Sequence, residues 1–431
     1  MVNKKVIEYA VKLGLSCKCS ITKENQYARK NYFYPDLPKG YQISQQNTPI
    51  CTGGYIVINA GGGRKNKKVE LTRIHMEEDT GKSIHDQDPD YTLIDLNRAG
   101  VPLLEIVTEP VIANADEAYS YLTELRRLVR YLEICDGNME EGSLRCDANV
   151  SVRLKGATKF GTKIEVKNMN SISNVHAAIQ HEITRQIEVL EAGGALFQET
   201  RSYDATTGKT FTMRTKESAD DYRYFPEPDL PPVMVLPKYI DEVRMTLPPL
   251  PDGLYDKYTK EFKLSDYDAS VIIDNKEFAL YFEELSKLTA NHKAAANWMM
   301  GDVKSYLNEN AIAIEHFPLK PANIADIIAL IDSGKVNYTI ASQRVFPVLL
   351  KEPGKTAADI AKEHNLVQES DTGVLEEFIK TALEKYPEKV VEYKNGKASL
   401  LGLFMGEIMK LSKGKADPKK ATQLLKDALE K

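Results

Sequence analysis

The sequence predicts an α+β fold in which a mixed sheet-and-helix domain is followed by an all-helical domain and a small helical tail domain. Three observations carry that expectation. The first part of the chain, to about Pro249, holds short segments that alternate with period two and is rich in aromatics, Asn and Gly. A proline-dense stretch follows, with Pro226, Pro228, Pro231, Pro232 and Pro237, then Pro248, Pro249 and Pro251, which neither a regular helix nor a central strand accommodates. Beyond it, apolar residues recur at helical spacing. At 431 residues the chain exceeds one ordinary core, and the breaks place the domains at 1–247, 248–366 and 367–431.

In the first domain, residues 55–59 and 67–75 flank Gly61-Gly62-Gly63 and read as a hairpin. Residues 147–154 alternate, with Ala148, Val150, Val152 and Leu154 on one face, and 162–167 repeat the pattern after Gly161, so these two are expected to pair. Asn114 is an expected N-cap with Glu117 three residues on, and Ala118, Tyr121, Leu122, Leu125, Leu128, Val129 and Leu132 keep helical spacing. A second helix is expected over 174–191, carrying Val175, Ile179, Ile183, Ile187 and Leu190 and stopped by Gly193-Gly194. Helix and strand do not alternate regularly, which favours α+β over a βαβ repeat. In the second domain, helices are expected over 276–288, 294–307, 322–331 and 340–350. The tail carries a Lys-rich unit, 410–420, in which Asp417 is the only acid among five lysines.

Composition narrows the classes. Lys plus Arg at 57 against Asp plus Glu at 62 gives a net charge of −5, so no global basic charge marks a nucleic-acid binder and any such contact rests on local patches. Hydrophobic residues at 42% and charged residues at 28% are ordinary globular values. No apolar stretch approaches the roughly 18 residues that span a bilayer. Neither a membrane nor DNA is an expected partner. The N-terminal segment has no signal-peptide core, so a cytoplasmic location is expected, with the five cysteines as thiols.

The chemistry-bearing residues fall in clusters. Gly61-Gly62-Gly63 lacks the strand-loop-helix setting of a phosphate loop and reads as a plain turn. Cys17 and Cys19 have no second close pair to complete a zinc site. Arg73-Ile74-His75-Met76-Glu77-Glu78-Asp79 ends a strand in potential oxygen and nitrogen ligands. Glu105 stands alone in the apolar run Val101-Pro102-Leu103-Leu104-Glu105-Ile106-Val107, where burying a carboxylate is costly. It is either paired to Arg98 or another cation, or part of a magnesium site. Arg29 to Asp36, with Lys39, sets cations beside Tyr32, Phe33 and Tyr34, a combination that either holds phosphates and bases or forms a core with a solvated rim. His176 and His181 have nothing nearby in sequence to complete a triad and read as helix-surface or packing residues.

At these segments a resemblance becomes specific. Arg29-Lys30-Asn31-Tyr32-Phe33-Tyr34-Pro35-Asp36, His75-Met76-Glu77-Glu78-Asp79, Asp95-Leu96-Asn97-Arg98, Met139-Glu140-Glu141-Gly142-Ser143-Leu144-Arg145-Cys146-Asp147-Ala148-Asn149 and Asp220-Asp221-Tyr222-Arg223-Tyr224-Phe225-Pro226-Glu227-Pro228-Asp229 resemble, in order, the B subunit of the aspartyl/glutamyl-tRNA(Asn/Gln) amidotransferases. The resemblance runs over the whole chain and implies a kinase/transamidase cradle domain over 1–247. It implies a ligase that uses ATP and Mg2+ to phosphorylate the side-chain carboxylate of Glu or Asp mischarged on tRNA(Gln) or tRNA(Asn). Ammonia drawn from glutamine by an amidase (A) subunit then displaces the phosphate, and a small (C) subunit completes the assembly. Glu78 and Glu105 match the family's metal-binding carboxylates, and Lys30, His75, Arg145 and Lys167 lie in matching motifs around the same cradle, with Arg145 and Lys30 the better phosphate contacts. Lys410, Lys413, Lys415, Lys419 and Lys420 are then candidate tRNA contacts. One departure is that no counterpart is seen of the family's first strand, with its Gly-Leu-Glu-Val-His type motif. The chain is therefore expected to be N-terminally truncated, and a second reading follows, a tRNA-binding scaffold impaired in catalysis.

Overall fold

The computed structural model describes residues 2–59, 66–84, 87–88, 90–215, 222–367, 372–412, 414 and 416–430. The chain divides into two units, Met1–Pro251 and Asp252–Lys431. In the first, helix α1 (Lys4–Ser16) starts where the Asn3 side chain accepts the Lys5 N–H. Short strands follow: β1 (Ser20–Ile21), β2 (Glu24–Asn25), β3 (Ala28–Asn31), β4 (Tyr41–Ser44), β5 (Cys51–Thr52) and β6 (Tyr55–Asn59). The long strand β7 (Asn66–Glu78) comes next, then β8 (Lys82–Ile84), β9 (Leu93–Asp95) and β10 (Pro102–Thr108). One sheet runs β1-β5-β7-β10, with β6 also paired to β7. The predicted pairing of 55–59 with the strand after the triple glycine is present as β6 against β7, antiparallel. Gly61-Gly62-Gly63 itself lies outside the described residues.

β7 positions the site because both of its faces are covered. Ile74 and Met76 are fully buried on the core side. Alternating with them, His75 and Glu77, also buried, face the other way, where Glu77 accepts from Gln42 and Ser44 of β4. Helix α1 lies close over β5: a Cβ on Gly14 would come within 2.4 Å of Cys51 Sγ, so only glycine fits there. The five cysteines are free thiols, and burial pushes the Cys19 thiol up to about 11.

Helix α2 (Ala115–Tyr131) begins as expected, with Asn114 accepting the Glu117 N–H. Strands β11 (Ala148–Val150) and β12 (Ile164–Lys167) pair antiparallel, as the alternation predicts. The expected strand over 147–154, however, ends at Val150, because residues 151–154 find no ladder partner and Leu154 is exposed. Helix α3 (Ile172–Glu191) starts two residues earlier than expected. Ser171, not a residue nearer 174, supplies the cap to the Asn174 N–H, and the Asn174 side chain turns to Asn170 instead. Strands β13 (Glu199–Asp204) and β14 (Lys209–Thr215) complete a sheet in the order β11-β12-β13-β14, with β13 parallel to β12. Strands β15 (Phe225–Pro226) and β16 (Val233–Met234) return to pair with β3 and β2, and helix α4 (Pro237–Met245) follows.

The second unit is helical. The helix expected over 276–288 is present as Lys276–Leu288, and that over 322–331 as Pro321–Asp332. Those expected over 294–307 and 340–350 are each interrupted by a π-helical turn, Met299–Val303 and Ala341–Val345. Asp302 accepts from Tyr338 Oη at 2.6 Å and from Ser342 Oγ, so one carboxylate ties the two interruptions together. Leu375, Ile379, Phe404, Ile408, Leu425 and Leu429 form a separate buried cluster of the last helices. Among the described residues no helix is long and apolar enough to cross a membrane.

Candidate functional site

The site is built where β7 and β10 run antiparallel with His75 opposite Glu105. His75, Glu77 and Glu105 can each offer one ligand atom, all within 4.8 Å of one another. His75 Nε2 lies 3.1 Å from Glu77 Oε1 and 3.7 Å from Glu105 Oε2. Glu77 is buried and further held by Ser44 Oγ at 2.5 Å and Gln42 Nε2 at 3.0 Å. Burial pushes its carboxyl up, but the His75 hydrogen bond, the charge of Lys30 and the Ser44 hydroxyl outweigh this and hold it below the usual carboxylate value. His75 Nδ1 is buried with no partner among the described residues. One imidazole nitrogen and two carboxylates, closed beneath by β4 and open at Glu105, form a donor set that fits a divalent cation retaining waters or substrate oxygens.

Glu105 departs from expectation. Its side chain is 48% exposed, neither buried in the apolar run nor paired to Arg98. β10 ends its sheet, and its alternation turns Leu104 and Ile106 onto the core, leaving Glu105 on the open face with His75. Arg98 pairs with Asp79 instead, at 3.1 Å. Glu78, next in sequence to Glu77, is outside the His75, Glu77 and Glu105 group and is engaged by the Lys39 ammonium and, at 2.7 Å, the Ile43 N–H. Glu77 is one of the potential ligands in the 73–79 stretch that the sequence does not single out, although period two places it on the His75 face. What no local signal shows is that Gln42 and Ser44 reach Glu77 or that Asp79 takes both Arg98 and Arg145.

Of the other sequence candidates, Lys30 and Arg145 act on groups at this strand end. The Lys30 ammonium sits 4.9 Å from the Tyr222 ring centroid and 5.8 Å from that of Tyr32, with its charge acting on Glu77. Arg145 grips Asp79 with both terminal nitrogens, at 3.2 and 2.6 Å. Lys167, on the other sheet, bonds Asp147 at 2.6 Å and Glu165 at 3.3 Å. Burial pulls Lys167 down, and these two carboxylates more than restore it, so it is held above the usual lysine value. Arg29 is a structural tie: it bonds Glu227 and Asp229 and stacks 4.2 Å from the Tyr41 ring, pinning β15 to β3. His176 pairs with Asp116 at 2.8 Å. In the tail, Lys410 and Lys420 are exposed and Lys419 lies in the helix Pro418–Glu430, while Lys413 and Lys415 lie outside the described residues.

Residues 1–241 match the family described as the GatB/GatE catalytic domain, and residues 280–429 match the GatB domain. The B subunit of the aspartyl/glutamyl-tRNA(Asn/Gln) amidotransferase of Persephonella marina is 47% identical over 430 residues, covering 100% of this chain and 90% of that protein. The corresponding B subunits of Trichlorobacter lovleyi and Chlorobium phaeobacteroides are each 49% identical, with 100% of this chain covered and 89% and 90% of theirs.

Proposed function

The chain belongs to the GatB family as a B subunit of the tRNA-dependent amidotransferases, and on that premise we propose that its first domain, 1–247, activates a tRNA-bound carboxylate with ATP. A carboxylate is a poor acyl donor to ammonia because its leaving group would be oxide. Phosphorylation by ATP makes that oxygen a good leaving group, releasing ADP, and ammonia then displaces inorganic phosphate to leave the amide. Glutamine, through the amidase partner, supplies the ammonia, and the small third partner completes the assembly. The helical region, 248–366, and the tail, 367–431, hold the tRNA.

His75, Glu77 and Glu105 would hold magnesium, which when bound supplies positive charge to phosphate oxygens. Glu77, fixed by Ser44 and Gln42, keeps the imidazole in place. Lys30, Arg98 and Arg145 supply further positive charge near the same strand end, where negative charge spreads over a phosphoryl group in flight. Glu78 orients Lys39 and the β4 backbone. Lys167, paired to two carboxylates, steadies the neighbouring sheet.

The single observation behind this reading is the convergence of one imidazole and two carboxylates at the end of β7, with cations around them. Whole-length similarity to the B subunits supports the enzyme subunit, and nothing supports the scaffold reading. The test is ATP hydrolysis by the chain with its partner subunits, with and without mischarged tRNA. Hydrolysis that depends on the mischarged tRNA and disappears in Glu105→Gln is expected. Hydrolysis indifferent to tRNA, or unchanged in that variant, would overturn the reading.

A further inference from the structure

Asp79 stands just past the end of β7, two residues beyond Glu77, and only 6% of its side chain is exposed. Its backbone is locked: its N–H donates to Val101 O at 2.8 Å, and its carbonyl accepts the Gly100 N–H at 2.9 Å. Every acceptor direction of its carboxylate is used. Oδ2 takes Arg98 Nε at 3.1 Å and Arg145 Nη2 at 2.6 Å, and Oδ1 takes Arg145 Nη1 at 3.2 Å and the Thr80 N–H at 3.0 Å.

The two guanidiniums that converge on it come from different segments. Arg98 also reaches the carbonyls of Glu141 at 3.3 Å and Gly142 at 3.0 Å, so it bridges the turn before β10 to the loop that carries Arg145. Gly142 sits at φ +76, and a Cβ there would come 3.1 Å from Arg98 Nη1 and 3.6 Å from Arg145 Nε. Two planar cations are thus held side by side on one buried anion, which leaves one positive charge within the trio uncompensated. The arginine side chains are 43% and 57% exposed, and among the described residues no acceptor pairs with Arg145 Nε or Arg98 Nη2. A purely structural salt bridge has no need of a second half-exposed arginine. Paired, fixed guanidinium donors are what a tetrahedral oxyanion requires.

We infer that Asp79 is a positioning residue that aligns Arg98 and Arg145 as a two-arginine clamp for the phosphate oxygens of ATP, a role that rests on the ATP-dependent activation proposed above. The buried carboxylate sets the orientation of both forks, and Gly142 keeps the space in which they lie. Asp79 itself touches no substrate.

The test uses the chain assembled with its partner subunits, in Asp79→Asn, Arg145→Ala and the double variant. Three quantities are read: affinity for a non-hydrolysable ATP analogue by calorimetry, Mn2+ affinity by paramagnetic resonance, and the turnover of tRNA-dependent ATP hydrolysis. Asp79→Asn is expected to weaken the analogue and slow turnover by about 10- to 100-fold, since loosened donors lose their aim. Mn2+ affinity should stay at the wild-type value. The double variant should fall well short of the product of the singles, because Asp79 acts through the arginine that is already gone. Unchanged analogue affinity in Asp79→Asn, a fully multiplicative double variant, or a parallel loss of Mn2+ affinity would each overturn the clamp. Should Asp79→Asn not fold, Arg98→Lys, a half-exposed change that keeps the charge and loses the fork, carries the same expectation, and wild-type analogue affinity there overturns it. Failure of the wild-type assembly to bind the analogue or hydrolyse ATP would instead remove the proposed activity itself.

Discussion

Glu77→Gln probes the buried side of the site with little change in shape. The carboxylate receives bonds from Ser44, Gln42 and His75. A hydrogen bond to a charged acceptor is worth about 1 kcal/mol more than one to a neutral acceptor, so three weakened bonds cost about 3 kcal/mol. Removing a buried charge returns about 1 to 2 kcal/mol of desolvation, which leaves a net loss of about 1 to 2 kcal/mol. The only tryptophan, Trp298, lies in the second unit, so its fluorescence is blind to this change. Hydrogen exchange at the amides of residues 74–77 is the suitable measure. Because folding depresses the Glu77 pKa, its stabilisation is present above about pH 4.5 and is lost as the pH falls through the lower folded value. The difference between wild type and variant should therefore shrink below that pH. Loss of one of the three candidate ligands should also weaken Mn2+ about 10- to 100-fold. Wild-type exchange together with wild-type Mn2+ affinity would refute the reasoning.

Glu105→Gln should leave stability within about 0.5 kcal/mol by denaturation, since the side chain is half-exposed, while abolishing tRNA-dependent ATP hydrolysis. Glu182 is fully buried and bonded by Arg185, Gln186 and Thr210, so Glu182→Ala should destabilise the first unit by about 3 to 5 kcal/mol, seen as faster exchange in β13. Charge reversal at Lys413 and Lys415 should weaken tRNA binding and reduce its dependence on salt, measured by binding titrations at several ionic strengths. Unchanged affinity and slope would return that lysine cluster to a solvated face.

Local features were the legible ones. The Asn114 cap, the helix Lys276–Leu288 and the pairing of β11 with β12 depend on residues close in sequence, where caps and periodicity act directly. Glu105 was identified as a functional candidate, but its burial was misjudged because an apolar run does not reveal which strand ends a sheet. Glu77 stands in the 73–79 stretch without a role of its own, since telling adjacent carboxylates apart requires knowing which face of β7 meets β4. Asp79 and Glu227 answer to partners far along the chain, Arg145 and Arg29, and no sequence period carries such a contact. The π-helical turns have no periodic signature either, and the tie between them, Asp302 to Tyr338 and Ser342, spans 36 and 40 residues.

The central claim, that the tRNA-bound carboxylate is activated by phosphorylation, is tested most directly by isotope transfer. Mischarged Glu-tRNA carrying 18O in both side-chain carboxylate oxygens would be converted by the assembled enzyme with ATP and glutamine, and the inorganic phosphate analysed by mass spectrometry. Phosphorylation of the carboxylate predicts one 18O in each phosphate released and one retained in the amide. Phosphate free of label, with amide still formed, would contradict it.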